Sequence, residues 1–255
     1  LETSDVQALK TSTVQALTTD QVTNGLTTAQ LQALSTAQVA ALNTNQVVNL
    51  TTAQVAVLET RDVQALNTSA IQALTTDQVT NGLTTAQLQA LSTAQVAALT
   101  TNQVVNLTTT QVSKLETTDL QALKTTQLQV LTTDQINLGL TTSQVQALST
   151  TQIAALTTDQ VTNGLTTAQL QALTTAQAAA LTTNQVVNLT TAQIAILETS
   201  DVQALKTSAV QALTTAQVTN GLTTAQLQAL STTQVAALTT NKVTNITTAQ
   251  GPMRK

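Results

Sequence analysis

The chain has 255 residues, no aromatic residue, no Cys and no His, and only 8% charged residues, with a net charge of −4. Without aromatic rings the buried area must come from Leu, Val, Ile and Ala, so an ordinary thick globular core is not expected. Without His or Cys the usual bases, thiol nucleophiles and zinc ligands are missing, which argues against an enzyme, and an acidic balance argues against a nucleic-acid partner.

The first segment, "LETSDVQALK" at Leu1, has neither the basic start nor the apolar centre of a signal peptide. No run of about 18 apolar residues follows that could span a membrane. Because the chain begins in register on a repeat position, it reads as an excerpt of something longer. From Leu1 onward it spells L-T-T-x-Q-V-x-A in thirty complete octads and one broken one. Position 1 is Leu in all thirty, position 3 is always Thr, and position 6 is Val, Ile or Leu except at Ala178.

Eight residues overshoot two turns of an α-helix by about 80°, so a continuous helix would spread the Leu positions around its circumference. A flat strand would send positions 1 and 6 to opposite faces. The better fit is one short helix per octad. Thr at position 2 with Gln at position 5 forms a capping box, and Leu at position 1 with Val at position 6 forms the matching hydrophobic staple. Variation between octads supports the pairing: Glu2 goes with Asp5, Lys10 with Thr13, Glu59 with Asp62, Glu116 with Asp119, Glu198 with Asp201 and Lys206 with Ala209. Lys124 with Gln127 and Thr239 with Lys242 depart from it. In these octads Thr at position 3 is expected to take over as cap.

Helices of barely two turns do not survive alone, so stacking must hold them. The expected fold is all-α, a repeat solenoid or superhelix over residues 1–250 with Leu and Val inward and positions 2, 4, 5 and 7 outward. A β-solenoid is the alternative, since Thr and Val are good strand formers. Five octads carry a ninth residue, Gly25, Gly82, Gly139, Gly164 and Gly221, mostly 57 residues apart and once 25. With Asn24, Asn49, Asn81, Asn106, Asn163, Asn188, Asn220 and Asn245 at position 8, they suit left-handed helix ends and a wider corner. The Asn pairs stand 25 residues apart, either a three-octad turn or a duplicated block. At the far end "GPMRK", residues 251–255, breaks the pattern.

The charged residues offer little chemistry. Glu2 with Asp5, Glu59 with Asp62, Glu116 with Asp119 and Glu198 with Asp201 lack the oxygen-rich loop of a calcium site and read as a solvated face. Glu2 and Lys10, Glu116 and Lys124, and Glu198 and Lys206 are expected to pair across a stacked interface. Asp20, Asp77, Asp134 and Asp159 lie in first turns, where negative charge is favoured. Val57, Val130 and Ile196 at position 8 are candidates for an apolar binding patch or for gap filling. No catalytic, cofactor-binding or metal-binding residue is assigned, and no cofactor is expected.

The segment "LTTDQVTNGL", Leu17 to Leu26, resembles the opening of a TAL-effector repeat, but its period is far shorter, Thr stands where that family has Pro, and base-reading loops are missing. The chain as a whole resembles the Thr- and Gln-rich "LTTxQVxAL" tracts of large secreted or surface bacterial proteins of adhesin type. That resemblance implies a non-enzymatic extracellular spacer, stalk or filament-forming element, self-associating end to end or laterally. The alternatives are an ice- or surface-binding Thr array and a solenoid scaffold for peptides or proteins.

Overall fold

The computed structural model describes residues 2–246, so the terminal segment 251–255 lies outside the described residues. Twenty-five α-helices of four to six residues and five π-helical turns form the regular structure of the described residues, with no strand among them. The all-α expectation holds and the β-solenoid does not. Each helix opens on the position-3 Thr, as in Thr36–Ala40, Thr44–Val48 and Thr52–Ala56.

The reason is local. In the octad of Ser35, the N–H of Gln38 donates to Ser35 Oγ at 3.3 Å while Gln38 Oε1 accepts from Ser35 N at 2.7 Å. Thr51 with Gln54, Thr100 with Gln103 and Thr166 with Gln169 repeat this exchange. It satisfies N–H groups that a helix start leaves open. Leu34 and Val39, on either side of the box, are both buried, as the staple requires. At Glu59, Glu116, Glu198, Lys10 and Lys206 position 2 remains the cap residue but its side chain accepts no capping bond. The position-3 Thr does not take over, because it is already the first helical residue.

The chain divides into two compact units, Leu1–Val130 and Leu131–Lys255. Inside the first, helix Thr36–Ala40 packs on Thr60–Ala65, Thr44–Val48 on Thr68–Ala73, and Thr93–Ala98 on Thr117–Ala122. Inside the second, Thr175–Ala180 packs on Thr199–Ala204 and Thr207–Ala212 on Thr232–Ala237. Every such pair is separated by three octads. Three octads therefore close one coil in each unit, and the core is the column of position-1 Leu and position-6 Val, Ile or Leu that successive coils share. Each helix is stabilised by burying this face against the coil beneath it, in the manner of repeat proteins.

The ninth residue does not make a left-handed corner. It is absorbed into a π-helical turn, such as Gln78–Gly82, in which Leu83 N donates to Gln78 O at 2.8 Å, five residues back. The widened turn takes up one residue and returns the next Leu to the core. Asn49, Asn106, Asn188 and Asn245 end their helices near φ −90 to −95° and ψ close to 0°, not in the left-handed region. What calls for glycine is close approach. A Cβ on Gly82 would stand 3.2 Å from Val55 Cβ and 3.4 Å from Thr52 Cα on the coil beneath.

Candidate functional site

The chemistry-bearing position of this chain is position 5, and it is not on the outside. Gln38, Gln46, Gln54, Gln78, Gln87, Gln95, Gln103, Gln111 and most of their counterparts in the second unit are all but fully buried. This overturns the outward reading of position 5. Its oxygen closes the capping box of its own octad. Its amide nitrogen crosses to the previous coil: Gln38 Nε2 donates to Val6 O at 2.9 Å, Gln7 O at 3.2 Å and Leu9 O at 2.7 Å. Gln54 reaches Val22 O, Thr23 O and Leu26 O, and Gln177 reaches Val145 O, Gln146 O and Leu148 O. The acceptors are carbonyls at the end of one helix and at the following Leu, which a short helix cannot pair internally. One amide thus satisfies a helix start in its own coil and a helix end in the coil below.

The exceptions separate the two halves of this bond. Lys242 keeps the donor half, its Nζ donating to Gln211 O, and Thr239 is left without a side-chain cap. Ala70 and Ala209 keep neither half and are buried as methyl groups, the former with Asn67 Oδ1 capping its N–H at 2.9 Å. Asp can keep only the acceptor half. Asp5 is exposed and its Oδ2 accepts from Glu2 N at 2.9 Å.

Asp62, Asp119 and Asp201, by contrast, are buried, so the solvated-face reading fails for them and holds for Glu59, Glu116 and Glu198, which are exposed. Thr36 Oγ1, one coil below, donates to Asp62 Oδ1 at 2.7 Å. Burial pushes the Asp119 carboxyl up to about 6, the Glu116 charge adds to the rise, and a backbone hydrogen bond at Glu116 opposes it. Burial also raises Asp201, with a hydrogen bond from Thr175 opposing and Glu198 adding. Asp201 Oδ2 has no hydrogen-bond partner.

The expected Glu–Lys pairs do not form. Among the described residues the one ion pair is Arg61 Nε to Glu59 Oε2 at 2.7 Å, on the surface. Adjacent octads lie side by side around a coil, and the stacked neighbours are three octads apart, so Glu116 and Lys124 do not face each other across an interface. Asp20, Asp77 and Asp159 instead accept from Asn24, Asn81 and Asn163 Nδ2 at 2.7–2.8 Å, one turn along the same octad. Thr23, Thr80 and Thr162 tie these octads to the coil above through Asn49 O, Asn106 O and Asn188 O. Around Asp159 this leaves a shallow depression lined by Thr158, Thr162, Asn163 and Asn188. Val57, Val130 and Ile196 are half-buried. No group of three or more carboxylates gathers among the described residues.

A family model described as the ALTTAQ repeat matches residues 1–31, 24–52, 55–80, 81–109, 112–150, 138–163, 163–191 and 194–219. No curated protein matches the chain. Among solved structures, the leucine-rich repeat-containing protein LegL7 from Legionella pneumophila aligns over 80% of this chain and 76% of that one, at 10% identity and a TM-score of 0.23. That likeness is too low to carry an argument.

Proposed function

Since the chain belongs to the ALTTAQ repeat family, we propose that its role is architectural: a non-enzymatic extracellular spacer, stalk or filament-forming element that associates with further copies of itself. The observation that supports this reading is the use of position 5. The one polar side chain that nearly every octad buries has its acceptor committed to its own helix start and its donor to the neighbouring coil, as Gln103 does between Thr100 N, Ile71 O and Leu74 O. A repeat built this way lengthens by adding coils and needs no ligand to complete it.

Antibody labelling of intact against permeabilised source cells tests the location, and equal dependence on permeabilisation for this chain and a cytosolic marker refutes it. Sedimentation velocity over a hundredfold concentration range tests self-association, and a concentration-independent monomer removes that part. A second reading rests on the position-3 Thr, which is exposed or half-buried along both units and does not act as a cap. Such a hydroxyl and methyl array is a candidate ice-binding face, and the absence of thermal hysteresis at high protein concentration eliminates it.

A further inference from the structure

Two of the buried position-5 aspartates, Asp119 in the first unit and Asp201 in the second, stand where sister octads place a glutamine amide. They are 3% and 1% exposed. In the octad that follows Asp119, Gln127 Nε2 donates to Leu99 O at 2.6 Å. The carbonyls of Leu91 and Leu173 hold the same register beneath Asp119 and Asp201, and no side-chain amide of the described residues reaches them. Aspartate is one methylene shorter than glutamine and, when ionised, has no proton to give.

Nor does a cation among the described residues compensate the charge. Helix Thr117–Ala122, which carries Asp119, packs on Thr93–Ala98, and Thr199–Ala204, which carries Asp201, packs between Thr175–Ala180 and Thr224–Ala229. None of the helices packed on these two, Thr93–Ala98, Thr175–Ala180 and Thr224–Ala229, has an ionisable side chain. The nearby charges are Glu116 and Glu198 in the same octads, both of the wrong sign, while Lys124 and Lys206, one octad on, are exposed and unpaired. Asp201 Oδ2 is left without a partner in a closed interface.

We propose that Asp119 and Asp201 are proton-binding junctions, one in each unit: the contact between coils is complete while the carboxyl carries a proton and weakens when the proton leaves. A neutral carboxyl has no buried charge to desolvate and gains one O–H donor in a place where sister octads supply an N–H donor. Ionised, it leaves an uncompensated charge between two coils. The upward displacement of both carboxyls described above, to about 6 for Asp119, agrees with this geometry. A folded-state value above the ordinary 3.8 means that the folded chain holds the proton more tightly than the unfolded one. That contribution is complete below about pH 4 and is lost as pH rises through the folded value near 6 for Asp119.

The test is thermal melting of the full chain from pH 4 to 7.5 at fixed ionic strength, for the wild type and for the double variant Asp119→Gln, Asp201→Gln. Glutamine is the residue of the sister octads, so the variant restores the missing amide. The wild-type midpoint should fall by several degrees across this range, and the variant should melt higher at pH 7.5 with most of that slope gone. Equal slopes in the two proteins overturn the proposal. So does a wild-type midpoint at pH 7.5 that is raised selectively by calcium or potassium chloride and not in the variant, because a metal cation would then occupy the junction. A carbon-13 titration of the labelled aspartate carboxyls in the wild type, with Asp119 assigned through its own backbone resonances, does not depend on the variant's stability. An Asp119 signal titrating at the ordinary carboxylate value also overturns the proposal.

Discussion

Gln103 offers the sharpest test of the coil-joining bond, because all of its polar atoms are placed. Its Oε1 accepts from Thr100 N at 2.7 Å, and its Nε2 donates to Ile71 O at 2.9 Å and Leu74 O at 2.7 Å, with a longer contact of 3.4 Å to Gln72 O. Gln103→Leu keeps the volume approximately and removes every one of these bonds. Each of the two good inter-coil bonds is worth about 0.5–1.5 kcal/mol net, and the cap about 1 kcal/mol. With Leu74 O left buried beside an apolar group, the expected loss is about 2–4 kcal/mol. Gln103→Glu separates the halves. It preserves the capping oxygen and replaces the donor by a second acceptor facing two carbonyls, so at neutral pH it should be at least as destabilising as Leu, and it should recover in part where the carboxyl is protonated. Urea melts followed by circular dichroism at pH 4.5 and 7.5 read both effects. A Gln103→Leu protein within about 0.5 kcal/mol of wild type would refute the claim that this side chain joins the coils.

Three further outcomes are expected. Gly82→Ala should cost about 1–2 kcal/mol, since the new methyl would meet Val55 Cβ at 3.2 Å inside the packed column, whereas at Gly25 the nearest side-chain atom is Gln21 Cβ at 3.7 Å. Gly25→Ala should accordingly be neutral or stabilising by up to about 1 kcal/mol, and equal losses in paired melts would contradict the close-approach account. Thr51→Ala removes the oxygen that accepts from Gln54 N at 3.1 Å and should lose about 1 kcal/mol in the same assay, with Thr51→Ser retaining most of the stability. Leu181→Ala, at a fully buried position 1, should lose about 2–5 kcal/mol, and a loss below about 1 kcal/mol would mean that the Leu column is not the core.

The helices could be read in the residues because their causes lie within one octad. A capping box joins residues three apart, and a staple joins residues five apart. Leu34, Ser35, Gln38 and Val39 therefore specify a helix start before any coil forms. The same short reach misled at position 5. Seen within its octad, Gln38 is only a capping partner and points to solvent, but its amide is bonded to Val6 and Leu9, 32 and 29 residues earlier. A clue was present in the octads where position 5 becomes Asp, Ala or Lys, but it does not give the direction in which the side chain faces. The Asn–Gly pairs were misread for a related reason. Asn-Gly suits a left-handed end in isolation, while the glycine at position 82 answers to Val55, a coil away.

What the sequence determined by itself is the octad: where each helix begins, which two residues face inward, and that a single octad cannot stand alone. Which octads meet was decided by the tertiary structure, three apart in each unit, and with it the burial of position 5, the widening of the glycine octads into π-helical turns, and the isolation of Asp119 and Asp201 from the cations among the described residues. Capping and stapling act over a few bonds and are written in adjacent letters. Stacking acts through space, and only the closed coil brings a glutamine amide to the carbonyls that it satisfies.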